Sequence, residues 1–288
     1  MEKKLSFFNA FNYALLFLFG LTALYPFIYI LTISLMPVAD YLKGGIVLFP
    51  RNISFEAYLH IFRNGNIFLS YKSTLIIAIA GTFTNLALTI LCAYVLSKTK
   101  LKGYKIFMNM IIFTMYFKGG LIPSYMLMRG LGFIDSYMAV ILTGAISTYY
   151  MLVLRSFFLN IPESLEEAAI IDGASAPYVL FKIILPISMP AIATIALFYA
   201  VGQWNSYFTP MIYLNSRKMW PLQVILREIL FESTESMRTA GEAELQSSAI
   251  GPQLKMATVI VTIVPIAMVY PFLQKYFVKG VLIGAVKA

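Results

Sequence analysis

Residues 167–186 read EAAIIDGASAPYVLFKIILP, and this polar, two-part segment interrupts a chain that is otherwise strongly apolar. Pro162 lies five residues before it, and proline suits the first turn of a helix because the N–H it lacks is not needed there. The acidic residues that follow Pro162 are favoured near the positive end of a helix dipole. Gly173 is the expected stop of that helix. The sequence therefore predicts one short helix in the first half of the segment.

A second helix is predicted directly after the glycine. Ser175 is a suitable N-cap, and Pro177 can occupy the first turn. Pro186 and Pro190 are expected to end this helix, because proline cannot donate the hydrogen bond that a helix interior needs. The predicted product is a pair of short helices at a membrane surface. An ordinary amphipathic interfacial loop would have the same composition.

The composition of the whole chain indicates a membrane protein. Of 288 residues, 60% are hydrophobic and 12% are charged, and the mean hydropathy is +0.79. Soluble domains carry roughly 25% charged residues. The single cysteine, Cys92, excludes an internal disulfide. The net charge of the chain is +9, and its basic residues lie between apolar blocks. This arrangement is typical of a membrane protein rather than of a nucleic-acid-binding protein.

Six transmembrane helices are predicted from the long uncharged intervals, since a bilayer core needs about 20 apolar residues per helix. They lie near residues 11–35, 73–97, 104–120, 137–157, 189–214 and 256–274. The apolar stretch after the opening MEKK is too long for a signal peptide and is interpreted as a retained first span. The expected fold class is an all-α membrane protein with a single transmembrane domain over residues 1–288.

The orientation is inferred from one short basic connection. Lys98, Lys100, Lys102 and Lys105 lie together between the second and third predicted spans, and cytoplasmic loops carry an excess of lysine and arginine. Both termini are therefore placed in the cytoplasm. The outside loops are then 37–72, 118–136 and 215–255, and the loop at 160–187 is cytoplasmic.

The cytoplasmic loop matches a known motif. Its residues follow the spacing EAA, three residues, Gly, nine residues, Ile, one residue, Leu-Pro, and this resembles the EAA loop of permease subunits of ATP-binding cassette (ABC) importers. Glu166 beside the motif is an additional acidic residue. In that family the loop docks on a cytoplasmic ATPase. The resemblance implies an ATPase-coupling set of Glu163, Glu166, Glu167, Ala168, Ala169, Asp172, Gly173, Ile183, Leu185 and Pro186.

The resemblance covers essentially the whole chain. Residues 117–142, 202–214 and 273–288 are similar to the maltose-type, MalG-like carbohydrate permeases, and the first and last of these are similar to the LplC-like branch. This implies the type I ABC importer permease fold and the import of oligosaccharides, including acidic, uronate-containing ones. It also implies a multi-pass subunit of a bacterial cytoplasmic membrane that is not itself an enzyme.

The same resemblance implies the partners of the chain. These are a second homologous permease, two ATPase subunits and an extracytoplasmic solute-binding protein. No cofactor is expected on this chain, and ATP with Mg is expected on the ATPase. The chain has no GxxxxGK[ST] phosphate-binding loop of its own, and its only histidine, His60, lies in an outside loop.

Candidate sugar-path residues lie at the end of the fifth predicted span. Gln203, Trp204, Asn205 and Tyr207 combine amide groups with aromatic rings, the groups that recognise sugars in a mostly apolar cavity. Gln203 and Tyr207, four residues apart, are predicted to share the helix face that looks into the cavity, while Trp204 packs against another helix or the partner permease. The alternative is that all four residues only join helices or mark the membrane interface.

Two further features stay open at this level. The outside loop 215–255 contains WPLQVILREILFES, predicted as an amphipathic helix that either rests on the membrane or contacts the binding protein. An ion-coupled carrier or channel is the alternative class of protein. Such proteins generally carry charges at membrane depth or paired broken helices, and the predicted spans have neither.

Overall fold

A computed structural model describes residues 7–44, 49–50, 52–63, 66–239 and 251–285. Every regular element within these ranges is helical. The α-helices are α1 (Phe7–Ser34), α2 (Val38–Leu42), α3 (Glu56–Arg63), α4 (Asn66–Ser97), α5 (Tyr104–Tyr116), α6 (Leu121–Gly130), α7 (Tyr137–Leu142), α8 (Thr148–Leu159), α9 (Glu163–Ile171), α10 (Ala176–Val179), α11 (Leu185–Trp204), α12 (Phe208–Tyr213), α13 (Leu222–Thr239) and α14 (Pro252–Ala285). A π-helical turn (Leu180–Ile184) joins α10 to α11, and a 3₁₀ turn (Arg217–Met219) precedes α13.

The chain divides into two compact units, one of Met1–Ile67 with Leu226–Pro265 and one of Phe68–Ile225 with Ile266–Ala288. In the first unit, the end of α1 is held by two hydrogen bonds. The Ser34 and Tyr58 hydroxyls share one of 2.7 Å. The Ser54 N–H donates the other to the Leu35 carbonyl over 2.8 Å. The rest of α1 is apolar and exposed along its length.

The second unit has its main core where α4, α8 and α11 meet the loop at 160–187. Leu96, Leu154 and Ile184 are almost completely buried there, from three different elements. Ala169 of α9 belongs to the same cluster, so the first helix of the loop is packed onto the membrane helices. Because apolar burial stabilises by about 25 cal/mol per Å², this cluster fixes where the loop lies.

Four helices of the described chain are long and apolar enough to cross a membrane by themselves. They cover Phe8–Ser34, Ile67–Ser97, Ala176–Trp204 and Pro252–Val269. The second and sixth predicted spans fall inside α4 and α14, and the first falls inside α1 except for its last residue. The third ends earlier than predicted, at Tyr116, where the chain turns through 116° into α6. Counting that bent pair as one span gives five.

The fourth predicted span, 137–157, is not one helix. It is divided into α7 and α8 around Gly144, whose φ of +76° is the left-handed conformation that favours glycine. The Ser147 hydroxyl then caps α8 by accepting from the Tyr150 N–H over 3.5 Å. At about 1.5 Å per residue, a helix as short as α8 does not cover a core of about 30 Å.

The fifth predicted span, 189–214, has different ends from those expected. A helical segment runs from Ala176 to Trp204, so Pro186 and Pro190 lie within it and do not end it. The π turn makes this possible, because the Leu185 N–H reaches back to the Leu180 carbonyl and places Pro186 in a first-turn position. Membrane helices tolerate proline better than the interiors of soluble helices do.

Candidate coupling loop and translocation segment

The loop at 160–187 contains the predicted helix, glycine stop and second helix. Gly173 has a φ of +84°. Its N–H donates to the Ile170 carbonyl over 3.0 Å, and the Ala174 N–H donates to the Ala169 carbonyl over 2.9 Å. This pair of bonds is the Schellman motif that ends many helices at a glycine. The prediction that Gly173 ends α9 in a left-handed conformation is confirmed.

The helix α9 exposes apolar side chains. Ala169 is buried against the core, whereas Ile171 is 84% exposed and Leu165 is 44% exposed. Ala168 and Glu167 are also exposed. Exposed apolar side chains next to a carboxylate, as on this side of α9, are typical of a surface that binds another protein.

Two ion pairs connect α9 with the short loop after α4. Lys98 Nζ pairs with Glu166 Oε2, and Lys100 Nζ lies 3.1 Å from Glu163 Oε2. Together with Glu167 these residues line a cleft of about 190 Å³ between the two loops. The hydrogen bond and charge of Glu163 raise the pKa of the Lys100 ammonium. The lysine-rich loop between α4 and α5, from which the orientation was inferred, therefore also forms ion pairs with the acidic residues of α9.

The second half of the predicted coupling set is less exposed. Ile183 and Leu185 pack against the core of their own unit, while Asp172 and Pro186 are exposed. Ser175 stands at the N-cap position of α10, but its side chain makes no capping hydrogen bond. Thus the sequence placed Ser175 correctly and predicted a bond that is absent.

At the candidate sugar path, Gln203 and Trp204 lie on α11 and Tyr207 does not. The helix ends at Trp204, and Tyr207 is the N-cap residue of α12. The prediction that Gln203 and Tyr207 share one helix face is therefore wrong, because the helix has ended before residues 205 and 206. Trp204 is 8% exposed, as expected for a packing residue, and Tyr207 is 42% exposed.

Gln203 faces α4 at a glycine. A Cβ added to Gly81 would come within 2.9 Å of the Gln203 amide carbon, so the glycine makes room for this side chain. One turn further along α4 lies Asn85, which is 2% exposed. Its Oδ1 and the Trp204 Nε1 have no hydrogen-bond partner among the described residues. Buried polar groups usually find partners, so these two atoms are exceptions within the packed part of α4 and α11.

Asn205 accepts a hydrogen bond from Gln223 Nε2 over 3.4 Å at the start of α13. Leu222 and Ile225 of that helix are buried, and the Leu222 N–H donates to Thr74 Oγ1 over 2.9 Å. The predicted helix in the 215–255 loop is thus present, and its first turn is packed into protein. Residues 240–250 of this loop lie outside the described residues.

Two polar residues within the predicted spans, Thr89 and Tyr150, pack against Tyr199 of α11. Thr89 is fully buried and its hydroxyl shares a 2.7 Å hydrogen bond with Tyr199. The Tyr150 ring lies 5.0 Å from the Tyr199 ring. The Tyr199 hydroxyl also accepts from the Ser147 N–H over 2.9 Å, so it connects three elements.

Sequence reasoning missed a second connection, on the predicted outside face. Asp135 Oδ1 accepts from the N–H groups of Asn215 and Ser216, each over 2.9 Å, and Oδ2 accepts from the Ser216 hydroxyl. These hydrogen bonds from Ser216 and Asn215 lower the pKa of the Asp135 carboxyl. Asp135 has a φ of +59°, which aspartate tolerates better than most residues. In the sequence, the one indication of this connection is Asp135 itself, an isolated acidic residue three positions after Gly132.

Long apolar helices with an exposed helix–glycine–helix loop packed on them are features of an integral membrane protein. The chain belongs to the family described as binding-protein-dependent transport system inner membrane component, whose model matches residues 5–283. Members of this family are the permease subunits of ABC transporters, and such subunits are not enzymes. The expected family and the all-helical type I permease fold are confirmed.

Individual relatives match over nearly the whole chain. The polygalacturonan/rhamnogalacturonan transport system permease protein YtcP of Bacillus subtilis (strain 168) is 41% identical over 280 residues, 97% of this chain and 98% of the relative. Protein LplC of the same organism is 39% identical over 277 residues, 95% and 93% of the two chains. The crystal structure of a bacterial ABC transporter involved in the import of the acidic polysaccharide alginate contains a chain with a TM-score of 0.84 and 33% identity. That match covers 94% of this chain and 96% of the other.

Proposed function

We propose that this chain forms half of the translocation path of an ATP-driven oligosaccharide importer and couples to a separate ATPase through α9. Family membership and the transport named for its relatives support the importer function. The observation that carries the coupling role is the exposed surface of α9. Leu165, Ala168 and Ile171 are open to solvent on a helix whose Ala169 is buried in the core.

This surface suits an ATPase for physical reasons. Apolar groups of a helix that is anchored on its other side can enter a cleft without a change of shape, so docking costs little ordering entropy. Glu167 is exposed beside them and can meet a cationic side chain of the partner. The ATPase carries ATP and Mg, and the present chain supplies no phosphate-binding loop.

The remaining partners follow from the same proposal. A second, homologous permease completes the path, and α1 offers it an apolar helix that is exposed along its length. An extracytoplasmic binding protein delivers the sugar, and the end of the loop at 236–250 is the proposed contact. If so, deleting residues 236–250 while keeping the start of α13 should weaken docking of the binding protein and uptake, without preventing membrane insertion.

Reconstitution tests the function. The permease pair, the ATPase and the binding protein are placed in proteoliposomes, and sugar uptake is measured with ATP, without ATP and without the binding protein. We expect uptake only when all components and ATP are present. Uptake by the permease pair alone, without ATPase, would instead identify a carrier or channel.

For the cargo we propose an acidic, uronate-containing oligosaccharide. The relatives support this, since one is named for polygalacturonan and rhamnogalacturonan transport and another takes part in alginate import. The test is competition for uptake by oligogalacturonates and by neutral oligosaccharides of equal length. The acidic cargo is rejected if the neutral sugars compete better.

Within the path, the proposed contact residues are Gln203, Asn205 and Tyr207, with Trp204 in a packing role. Gln203 is supported by its place against Gly81, one helical turn from the buried amide of Asn85. Sugar hydroxyls can both donate and accept, so they complement amide groups of this kind.

A further inference from the structure

We propose that Lys98 is a positioning residue for coupling, and that its ion pair with Glu166 makes the end of α4 move together with α9. This rests on the proposed docking of an ATPase on α9. Lys98 directly follows Ser97, the last residue of a helix long enough to cross the membrane. The ion pair therefore connects the docking helix with a membrane span that lies more than 60 residues earlier in the chain.

The two ion pairs of this region differ in exposure, and the difference decides which of them can act. The side chains of Lys98 and Glu166 are 38% and 18% exposed, against 82% and 72% for Lys100 and Glu163. Exposed pairs are screened by salt and contribute little, whereas partly buried pairs are screened much less. Lys98 is also held by the Tyr94 ring, whose centre lies 4.7 Å from Nζ. The inner pair is thus the one with a fixed geometry.

A second connection holds the same loop from the other side. Arg155 Nε donates to the Leu96 carbonyl over 2.8 Å, and Arg155 Nη2 donates to the Tyr104 hydroxyl. Arg155 belongs to α8, which leads directly into α9. Arg155 therefore joins the end of α4 and the start of α5 to α8, the helix that precedes α9. A displacement of α9 by a partner is transmitted to α4 and α5 by these contacts.

The additional carboxylate beside the EAA motif thereby gains a function. Neighbouring residues of a helix point about 100° apart, so Glu166 and Glu167 cannot face the same partner. Glu166 is turned toward Lys98 and is half-buried, while Glu167 remains exposed. We infer that Glu166 serves the internal connection and leaves Glu167 for the ATPase.

The first test uses substitutions in the reconstituted complex, with uptake per ATP hydrolysed as the readout. A merely structural role would lower the amount of assembled complex and leave this ratio unchanged. We expect Lys98→Gln and Glu166→Gln each to lower the ratio roughly fivefold, the low end of typical coupling between sites. The double variant should be no worse than either single variant, because both remove the same contact. Lys100→Gln is the matched control and should leave the ratio unchanged.

Outcomes of this test separate the two proposals. Absence of ATP-dependent uptake in the wild-type complex overturns the proposed function itself. Normal wild-type uptake with equal ratios for Lys98→Gln and Lys100→Gln overturns only the role of Lys98. If Lys98→Gln does not assemble, the charge-exchanged variant K98E/E166K carries the test. Recovery of the ratio supports the pair, and an assembled but uncoupled complex contradicts it.

A cross-link tests whether the two groups stay together during transport. Lys98→Cys and Glu166→Cys are combined in a Cys92→Ala background and joined with a short bis-maleimide. If α9 and the end of α4 move as one body, the free dithiol form should show a low ratio and the cross-linked form should recover it. A cross-linked complex that binds ATPase but does not transport would show that the pair must open, and would overturn the proposal.

Discussion

Replacing Gly173 tests the turn that ends α9. A Cβ built on this glycine meets no atom within 4 Å, so a substitution causes no clash. The cost comes only from the backbone, whose φ of +84° is unfavourable for residues that carry a Cβ. Holding such a residue in this region costs about 1–3 kcal/mol, with β-branched residues at the upper end. Asparagine tolerates it better.

From these values we expect Gly173→Val to lower ATPase affinity by about 30-fold, if about 2 kcal/mol of strain falls on the docked form. Gly173→Asn should lose much less. Binding is measured by titrating purified ATPase onto the permease pair in nanodiscs. Insertion should remain normal, because the substituted residue is exposed and lies in a loop.

Gly132 provides a matched control. Its φ is +73° and a Cβ there also meets no atom within 4 Å, but it lies in the predicted outside loop. Gly132→Val should therefore carry a similar strain and leave ATPase affinity unchanged. Equal affinity for Gly173→Val and the wild type would refute the role of this turn in docking. Equal loss for both glycines would show a general loss of stability instead.

Three further predictions concern other elements. Trp204→Ala should reduce the yield of assembled permease pair, since removing a buried tryptophan costs about 3–5 kcal/mol. Tyr207→Ala should instead change the relative uptake of large and small sugars at normal yield, and the opposite result would exchange the roles of the two residues. Ser175→Ala should change the thermal midpoint very little, because the side chain makes no capping bond, and a loss near 1 kcal/mol, typical of a true N-cap, would contradict this. Asp135→Asn keeps the backbone preference and removes the charge. Because the folded carboxyl has a lowered pKa, the wild type should be the more stable at neutral pH. Its advantage should start to fall near pH 4, about the pKa of an unfolded aspartate, and should be lost as the pH passes below the lowered pKa of the folded carboxyl. A thermal-shift series against pH measures this, and a difference independent of pH would exclude the carboxylate.

Local chemistry explains which features of the loop at 160–187 could be predicted. A helix stop at Gly173 depends on the conformational freedom of one residue, so the sequence contains all the information needed. The break of helix at Pro186 was predicted by the same kind of rule and did not occur. A π turn that begins at Leu180 accommodates the proline, and this turn depends on how Ile184 and its neighbours pack in the core.

The site at the end of α11 shows the same limit. Helix periodicity put Gln203 and Tyr207 on one face, but that rule holds only while the helix continues. The chain leaves the helix after Trp204, and Asn205 then meets Gln223 of α13. Such partners lie far along the sequence, and no local pattern encodes them.

By itself, the sequence determined that this protein lies in a membrane, where its long apolar helices are, and that a glycine turn divides its docking loop. These depend on composition, on charge-free length and on the backbone of single residues. Only the tertiary structure decided that 137–157 is two helices and that Glu166 faces Lys98 while Glu167 faces outward. The physical reason is that adjacent carboxylates are chemically identical. They differ only in direction, and the packing of Ala169 against the core fixes that direction.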